Sequence, residues 1–335
     1  MTWEIINGDC LDVMRTYPDN HFSGIVTDPP YGLSFLGKGW DHEVPDRSYW
    51  EECLRITKPG SFLIAMGGTR TFHRLACAIE EGGYEIRDCV SWIYASGFPK
   101  SHNHFGIDGF GTALKPAWEP CIVAMKPLDG TFKQSAEKWG QAGINIDGCR
   151  IDSRATSFKD NRQERTNDIY GKFHPSDYNG DKGRWPANVI LDEEAALNIG
   201  VPSRFFFCAK TSPRERNEGL GGLVVRQTIG GGGTNNTEDD VCGKYGSIKA
   251  PSKNHHPTVK PLSLMRYLIT LIAPPSNALI LDPFAGSGTT VLAAHQLGIS
   301  ALGIEQSSDY CEIARARLQH SIDKKRDTPE QLEFV

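Results

Sequence analysis

Apolar residues along this chain fall into short unbroken runs, separated by amphipathic stretches and by glycine or proline breaks. Trp3 to Ile6 predicts a strand, followed by a turn at Asn7-Gly8-Asp9-Cys10 and a short helix from Leu11 to Tyr17. Phe22 to Thr27 is a second run, and its abrupt end predicts a buried strand with a sharp stop. Ser48 to Thr57 has helical spacing and is closed by Lys58-Pro59-Gly60. Ser61 to Met66 is continuously apolar up to Gly67-Gly68. A helix over Thr69 to Glu80 and strands over Tyr84 to Tyr94 and Trp118 to Met125 follow. Beyond Pro261, the stretch Leu262 to Ile272 is apolar on more than one face, which predicts a well-buried helix. Leu279 to Leu281 and Ala301 to Ile304 predict strands on either side of a helix from Val291 to Leu297. Asp309, with Glu312 three residues on, has the form of a capping box for a last helix reaching about Ser321.

Strands that are apolar throughout and alternate with helices predict an α/β protein, doubly wound, with a mixed but mostly parallel sheet covered on both faces. Between residues 127 and 251 that pattern dissolves. Gly, Asn, Asp, Ser and Arg become frequent, Gly230 to Asn236 is glycine-rich, and only Trp185 to Leu191 and Ser203 to Ala209 predict strands. The expected organisation is therefore an α/β half over 1–126, an irregular insertion over 127–251, a second α/β half over 252–322, and a charged, frayed tail over 323–335.

Composition narrows this only a little. A chain of 335 residues builds one large domain or two smaller ones and needs no staples for its core. The nine cysteines include no Cys-x-x-Cys pair and no zinc-spaced Cys/His cluster, so reduced thiols and no metal site are expected. There is no apolar run of membrane length, and Met1-Thr2-Trp3-Glu4 lacks signal-peptide character, which together predict a cytoplasmic protein. The net charge of −5 argues against a uniformly basic nucleic-acid coat and leaves room for a local basic cleft.

Two stretches carry chemistry. Asp28-Pro29-Pro30-Tyr31 stands directly after the second strand. Two prolines fix two φ angles and remove two donors, and the first also pushes Asp28 out of the helical region. A stiff elbow results at the carboxyl end of a strand, where open α/β sheets bind ligands. Its carboxylate, free carbonyl and aromatic ring suit a planar ring bearing an amino group. Asp28 and the Pro29 carbonyl would each accept one N–H, while Tyr31 lies on the ring. The alternative is a Pro-Pro strand exit with an ordinary turn aspartate. The following loop, residues 32–43, contains Lys38 and Trp40 and suits either a flap over a site or a solvated connection.

The second stretch is Asp282-Pro283-Phe284-Ala285-Gly286-Ser287-Gly288-Thr289-Thr290, a glycine-rich strand-to-helix turn. It lacks the lysine of a phosphate-cradling loop, and Val291 stands where a dinucleotide fingerprint needs glycine or alanine. Glu305 ends the next strand, at the spacing from which an acidic side chain reaches ribose hydroxyls. A nucleoside without pyrophosphate, such as S-adenosylmethionine, fits this better than NAD. The alternative is glycine placed only for tight strand–helix packing.

With these motifs in view, the chain resembles the amino-group DNA methyltransferases. Asp28-Pro29-Pro30-Tyr31 is similar to their catalytic tetrapeptide and Asp282 to Thr290 to their cofactor loop. His256-Pro257-Thr258-Val259-Lys260-Pro261 looks like their cofactor-side segment, Asn7-Gly8-Asp9-Cys10 like the segment touching the cofactor adenine, and Gly97-Phe98-Pro99-Lys100-Ser101 like a loop flanking the target base. The catalytic motif comes first and the cofactor motif last, an order that resembles the β group, while the Gly97–Ser101 loop is similar to that of phage-borne or orphan members. The resemblance implies S-adenosylmethionine as cofactor and direct, metal-free methyl transfer to a flipped-out base. The implied base is adenine at its 6-amino group, or alternatively cytosine at its 4-amino group. Asp28, Pro29, Pro30 and Tyr31 would be catalytic. Asp9, Cys10, Asp282, Pro283, Phe284, Ala285, Gly286, Ser287, Gly288, Thr289 and Glu305 would hold the cofactor, with Thr258 and Lys260 at its methionine end. Phe98, Lys38 and Trp40 would face the base or the DNA, and the 127–251 region would read the target sequence. DNA is the implied partner; a homodimer and a cognate restriction enzyme are compatible with the resemblance.

Overall fold

The computed structural model describes residues 1–33, 41–97, 107–151, 166–167, 171–172, 182–200, 202–203, 206–209, 215–221, 253–256 and 258–327. The chain opens with β1 (Trp3–Asn7), α1 (Cys10–Arg15) and β2 (Phe22–Thr27). Next come α2 (Arg47–Ile56), β3 (Thr57–Met66), α3 (Phe72–Glu81), β4 (Glu85–Ile93) and β5 (Trp118–Met125). The middle of the chain supplies α4 (Phe132–Trp139), a two-strand ribbon of β6 (Thr166–Asn167) and β7 (Gly171–Lys172), then β8 (Val189–Asp192), α5 (Glu193–Ile199) and β9 (Phe207–Ala209). The last part is α6 (Leu262–Ile272), β10 (Leu279–Asp282), α7 (Thr289–Leu297), β11 (Ser300–Glu305) and α8 (Ser308–Asp327).

Nine strands form one sheet in the order β1-β11-β10-β2-β3-β5-β4-β8-β9. Only β5 runs against its neighbours, pairing antiparallel with β3 and β4, while every other pair in this sheet is parallel. One face is covered by α6, α7 and α8, whose buried Leu268, Val291 and Ala314 share a core with Val26 and Ile64. The other face is covered by α1, α2 and α3, through Met14, Trp50 and Leu75 against Ile25 and Leu63. The doubly wound, mostly parallel architecture expected from the sequence is the observed one. Among the described residues no helix is long and apolar enough to cross a membrane.

The sheet order places the site. β2 and β10 are adjacent, with Gly24 opposite Ile280 and Ile25 opposite Leu281. The elbow after β2 and the glycine loop after β10 therefore open side by side at the carboxyl edge. The Thr27 hydroxyl joins them by donating to Asp282 Oδ1 at 2.7 Å.

Two expectations need correction. Strand β3 starts at Thr57 and absorbs Lys58-Pro59-Gly60, which read as a break. Pro59 is tolerated there because the pairing with β2 is irregular at that point, so no ladder donor is required of it. The last helix extends to Asp327, into the expected tail, and Ser307 rather than Asp309 caps it. The Tyr310 N–H donates to Ser307 Oγ at 3.5 Å and the Cys311 N–H to Ser307 O at 3.0 Å. Within 127–251, described segments join the central fold. β8 pairs with β4, β9 with β8, and the Asn145 N–H donates to Leu271 O at the end of α6 at 2.8 Å. These short strands extend the central sheet, so the apolar pattern of 189–192 and 207–209 belongs to the main core.

Candidate functional site

A cavity of about 650 Å³ opens at the carboxyl edge of the parallel strands. Its walls are the elbow, the Asp9-Cys10 turn, the loop after β10, the end of β11 and the Thr258–Lys260 segment before α6.

The elbow is held from behind. The N–H groups of Tyr31 and Gly32 both donate to Asp41 Oδ1, at 2.8 and 3.0 Å, and the Thr71 hydroxyl donates to the Tyr31 carbonyl at 2.6 Å. In front, Asp28 Oδ1 accepts from the Tyr31 hydroxyl at 2.8 Å and Asp28 Oδ2 from the Lys260 ammonium at 2.8 Å. Glu119 Oε2 lies 3.0 Å from the Tyr31 hydroxyl and 3.2 Å from Lys260 Nζ. Two carboxylates, one ammonium and one phenol thus form a single cluster. The side chains are 8% exposed for Lys260, 17% for Asp28 and 20% for Glu119. Burial pushes the Asp28 carboxyl above its ordinary pKa, and the Lys260 charge opposes that push. Burial also works against the charge on Lys260, but Asp28 and then Glu119 outweigh it and hold its pKa above the ordinary lysine value. Tyr31 is buried beside two negative charges and stays a phenol.

On the other wall, Glu305 is gripped by backbone. Its Oε2 accepts the Gly286 N–H at 2.9 Å and its Oε1 the Ser307 N–H at 2.7 Å. Each oxygen keeps lone-pair capacity for a further donor in the cavity. Asp9 Oδ1 caps α1, accepting from Leu11 N–H at 2.9 Å and Asp12 N–H at 3.3 Å. Cys10 is a buried thiol whose pKa burial raises to about 12. Asp282 is buried under the loop, where desolvation lifts its pKa to about 6 against the hydrogen bonds it accepts. Gly286 has φ +52°, and a Cβ there would lie 2.7 Å from His256 Nε2, so the imidazole packs directly on the loop. Burial, and then the neighbouring Lys260, Arg216 and Arg317 charges, push the His256 pKa down to about 3. Behind the loop, Arg317 is 2% exposed and donates to Ser287 O at 2.7 Å and to the Ser287 and Thr289 hydroxyl oxygens at 3.1 Å each.

Asp28, Pro29, Pro30, Tyr31, Asp9, Cys10, Asp282, Pro283, Phe284, Ala285, Gly286, Ser287, Thr289, Glu305, Thr258 and Lys260 all line the one cavity. The Lys260 ammonium sits on the carboxylates of Asp28 and Glu119 within this cavity. Gly288 does not line the cavity; with φ +75° and a would-be Cβ 2.7 Å from Ala314 Cβ, it serves the contact of the loop with α8. Lys38, Trp40 and Phe98 lie outside the described residues. Trp92 is buried and also lines the cavity.

Glu119 and Arg317 escaped the sequence reading as site residues, and His256 entered it only as part of the segment before α6. The signal for Glu119 was a carboxylate near the start of an otherwise apolar strand. It becomes informative only once β5 is known to be antiparallel, because then its first residues, not its last, reach the edge where the parallel strands end.

Comparison with known proteins bears on this geometry. A family model for N6/N4 methyltransferases, described as DNA methylase, matches residues 22–316. The type II methyltransferase M.HindIII of Haemophilus influenzae is 44% identical over an alignment 369 positions long that covers 94% of each chain. The type II methyltransferase M.HpaI of Haemophilus parainfluenzae is 22% identical, over 95% of this chain and 74% of that one. Among solved structures, the cytosine-N4-specific PvuII DNA methyltransferase superposes with a TM-score of 0.52 at 16% identity, over 96% of this chain and 91% of that one, a likeness of fold.

Proposed function

This chain belongs to the N6/N4 amino-group DNA methylases and is a site-specific DNA methyltransferase, and we propose that its target is the 6-amino group of adenine. The family uses S-adenosylmethionine. The residues present fit that group. A cavity of about 650 Å³ is of the size that encloses such a ligand. Glu305 offers carboxylate lone pairs at the spacing expected for ribose hydroxyls, and Phe284, Tyr49 and Ile304 supply apolar wall for a purine. Arg317, which can only donate, occupies the Ser287 and Thr289 hydroxyl oxygens, so both hydroxyl protons are left to point elsewhere, as a carboxylate acceptor requires. When bound, the cofactor supplies an electrophilic methyl group on a sulfonium.

What the chain itself does is to bind, orient and exclude water. Asp28 accepts an N–H of the target amine and stabilises the positive charge that grows on the nitrogen. The buried position makes that interaction worth more than it would be in water. The pinned elbow holds the carboxylate before the base arrives, so little reorganisation accompanies reaction. The amine is out of reach inside a duplex, so the base must leave the stack to enter the cavity.

The observation that carries adenine is the carboxylate at the first position of the elbow. A charged acceptor is the stronger partner for an amine, and in this family aspartate there accompanies adenine more often than cytosine. Digesting DNA methylated by the protein to nucleosides and identifying the product by mass spectrometry is expected to give N6-methyl-2′-deoxyadenosine. N4-methyl-2′-deoxycytidine alone would reassign the base and leave the family and fold standing.

A further inference from the structure

We propose that Lys260 is a displaceable occupant of the catalytic carboxylate and that Glu119 is the positioning residue that receives it when the target base enters. The inference rests on the DNA-methyltransferase reading and names two further residues that act in it. In the free site the ammonium is fully used: its three protons face Asp28 Oδ2 at 2.8 Å, Glu119 Oε2 at 3.2 Å and the Tyr31 hydroxyl at 3.2 Å. Lys260 therefore stands against Asp28 as an amine's N–H groups would.

That arrangement cannot persist through reaction. A methyl group leaving a sulfonium for an amine carries positive charge onto the nitrogen. An ammonium held on the same carboxylate would cancel the stabilisation that Asp28 provides there. Withdrawing Lys260 with nothing to receive it would leave a charge unpaired in a site where its side chain is 8% exposed, which is strongly unfavourable. Glu119 removes that obstacle. It already touches the ammonium, it approaches from β5 on the side away from the glycine loop, and the Tyr31 hydroxyl lies between the two carboxylates at 2.8 and 3.0 Å. A small rotation of the lysine side chain lengthens its contact with Asp28 and shortens that with Glu119. The tyrosine proton is then free to serve either acid. Lys260 keeps its proton throughout, no bond is made or broken in the exchange, and only the acceptor changes.

Glu119 thus sets how readily the base gains Asp28, and Lys260 keeps two acidic groups from facing each other without a counter-charge. Each is useful only with the other, and this dependence is measurable. Wild type, Glu119→Gln, Lys260→Met and the double variant would be compared for single-turnover transfer of labelled methyl from S-adenosylmethionine into unmethylated bacterial genomic DNA. Melting midpoints and cofactor titration calorimetry would report on folding, with Lys260→Gln as a second replacement if the methionine variant melts early. Glu119→Gln traps Lys260 on Asp28 and is expected to slow transfer about 100-fold, equivalent to about 2.7 kcal/mol of added barrier. Lys260→Met alone should also slow transfer, because the two acids then face each other unpaired. In the Glu119→Gln background the same lysine substitution should instead raise the rate, since it removes the occupant. A lysine effect of the same sign in both backgrounds overturns the exchange while wild-type activity leaves the methyltransferase reading intact. Absence of labelled DNA from wild type overturns both.

Discussion

At the scale of single residues, the site works by placing charge where solvent is scarce. Glu305 shows how one carboxylate serves two ends: backbone N–H groups of Gly286 and Ser307 fix its orientation, and its remaining lone pairs face the cavity. Glu305→Ala is expected to weaken S-adenosylmethionine binding by about 1.5–3 kcal/mol, the range of a hydrogen bond to a charged group. Isothermal calorimetry measures it, and unchanged affinity would reduce Glu305 to a loop brace. His256 gives a pH signature. Its pKa in the fold is about 3, below the ordinary value of 6.5, so the unfolded chain takes up the proton first as pH falls. Its contribution to stability is complete above pH 6.5 and is lost progressively towards pH 3. The loss by pH 4 is about 3 kcal/mol, from the equivalence of one pKa unit to about 1.4 kcal/mol. Melting curves of His256→Gln and wild type should converge as pH is lowered from 7 to 4; parallel curves would show that the ring charges without penalty.

At the scale of elements, the loop between β10 and α7 is shaped from below. Gly288 is its last residue before α7, in a left-handed conformation with α8 pressed against it. Gly288→Ala combines a backbone that L residues rarely adopt with a Cβ 2.7 Å from Ala314 Cβ. The expected cost is about 2–4 kcal/mol of folding stability, summing left-handed strain and overpacking. Urea denaturation would read this as a lowered midpoint, and a midpoint within error of wild type would mean that α8 yields freely. Arg317 works at the same junction, tying α8 to the Ser287 carbonyl, so that helix and loop move together.

At the scale of the whole molecule, a net charge of −5 means that DNA must be met locally, not by a general positive field. The 127–251 stretch contains Arg150, Arg154, Lys159, Arg162, Arg165, Lys172, Lys182 and Arg184, interleaved with acidic residues. Removing residues 158–181 is expected to preserve cofactor binding, because β8 and β9, which join the sheet, lie outside the deletion. DNA affinity or site choice should fall. Gel shifts and methylation mapping of the deletion variant would check this; intact site-specific methylation would send the recognition role elsewhere.

The sequence by itself determined the α/β alternation, the elbow and the glycine loop. These rest on local physics: apolar periodicity, proline's fixed φ, and turn residues that need no distant partner. Tertiary structure decided what those pieces do to each other. Residues 27 and 282 meet because β2 pairs with β10, and strand neighbours far apart in the chain leave no local trace. Glu119 reaches Asp28 because β5 runs backwards, and an apolar run reads the same in either direction. Lys260 meets Asp28 and Glu119 because the position of an ammonium at the end of a flexible stem is set by which acids the fold brings within reach.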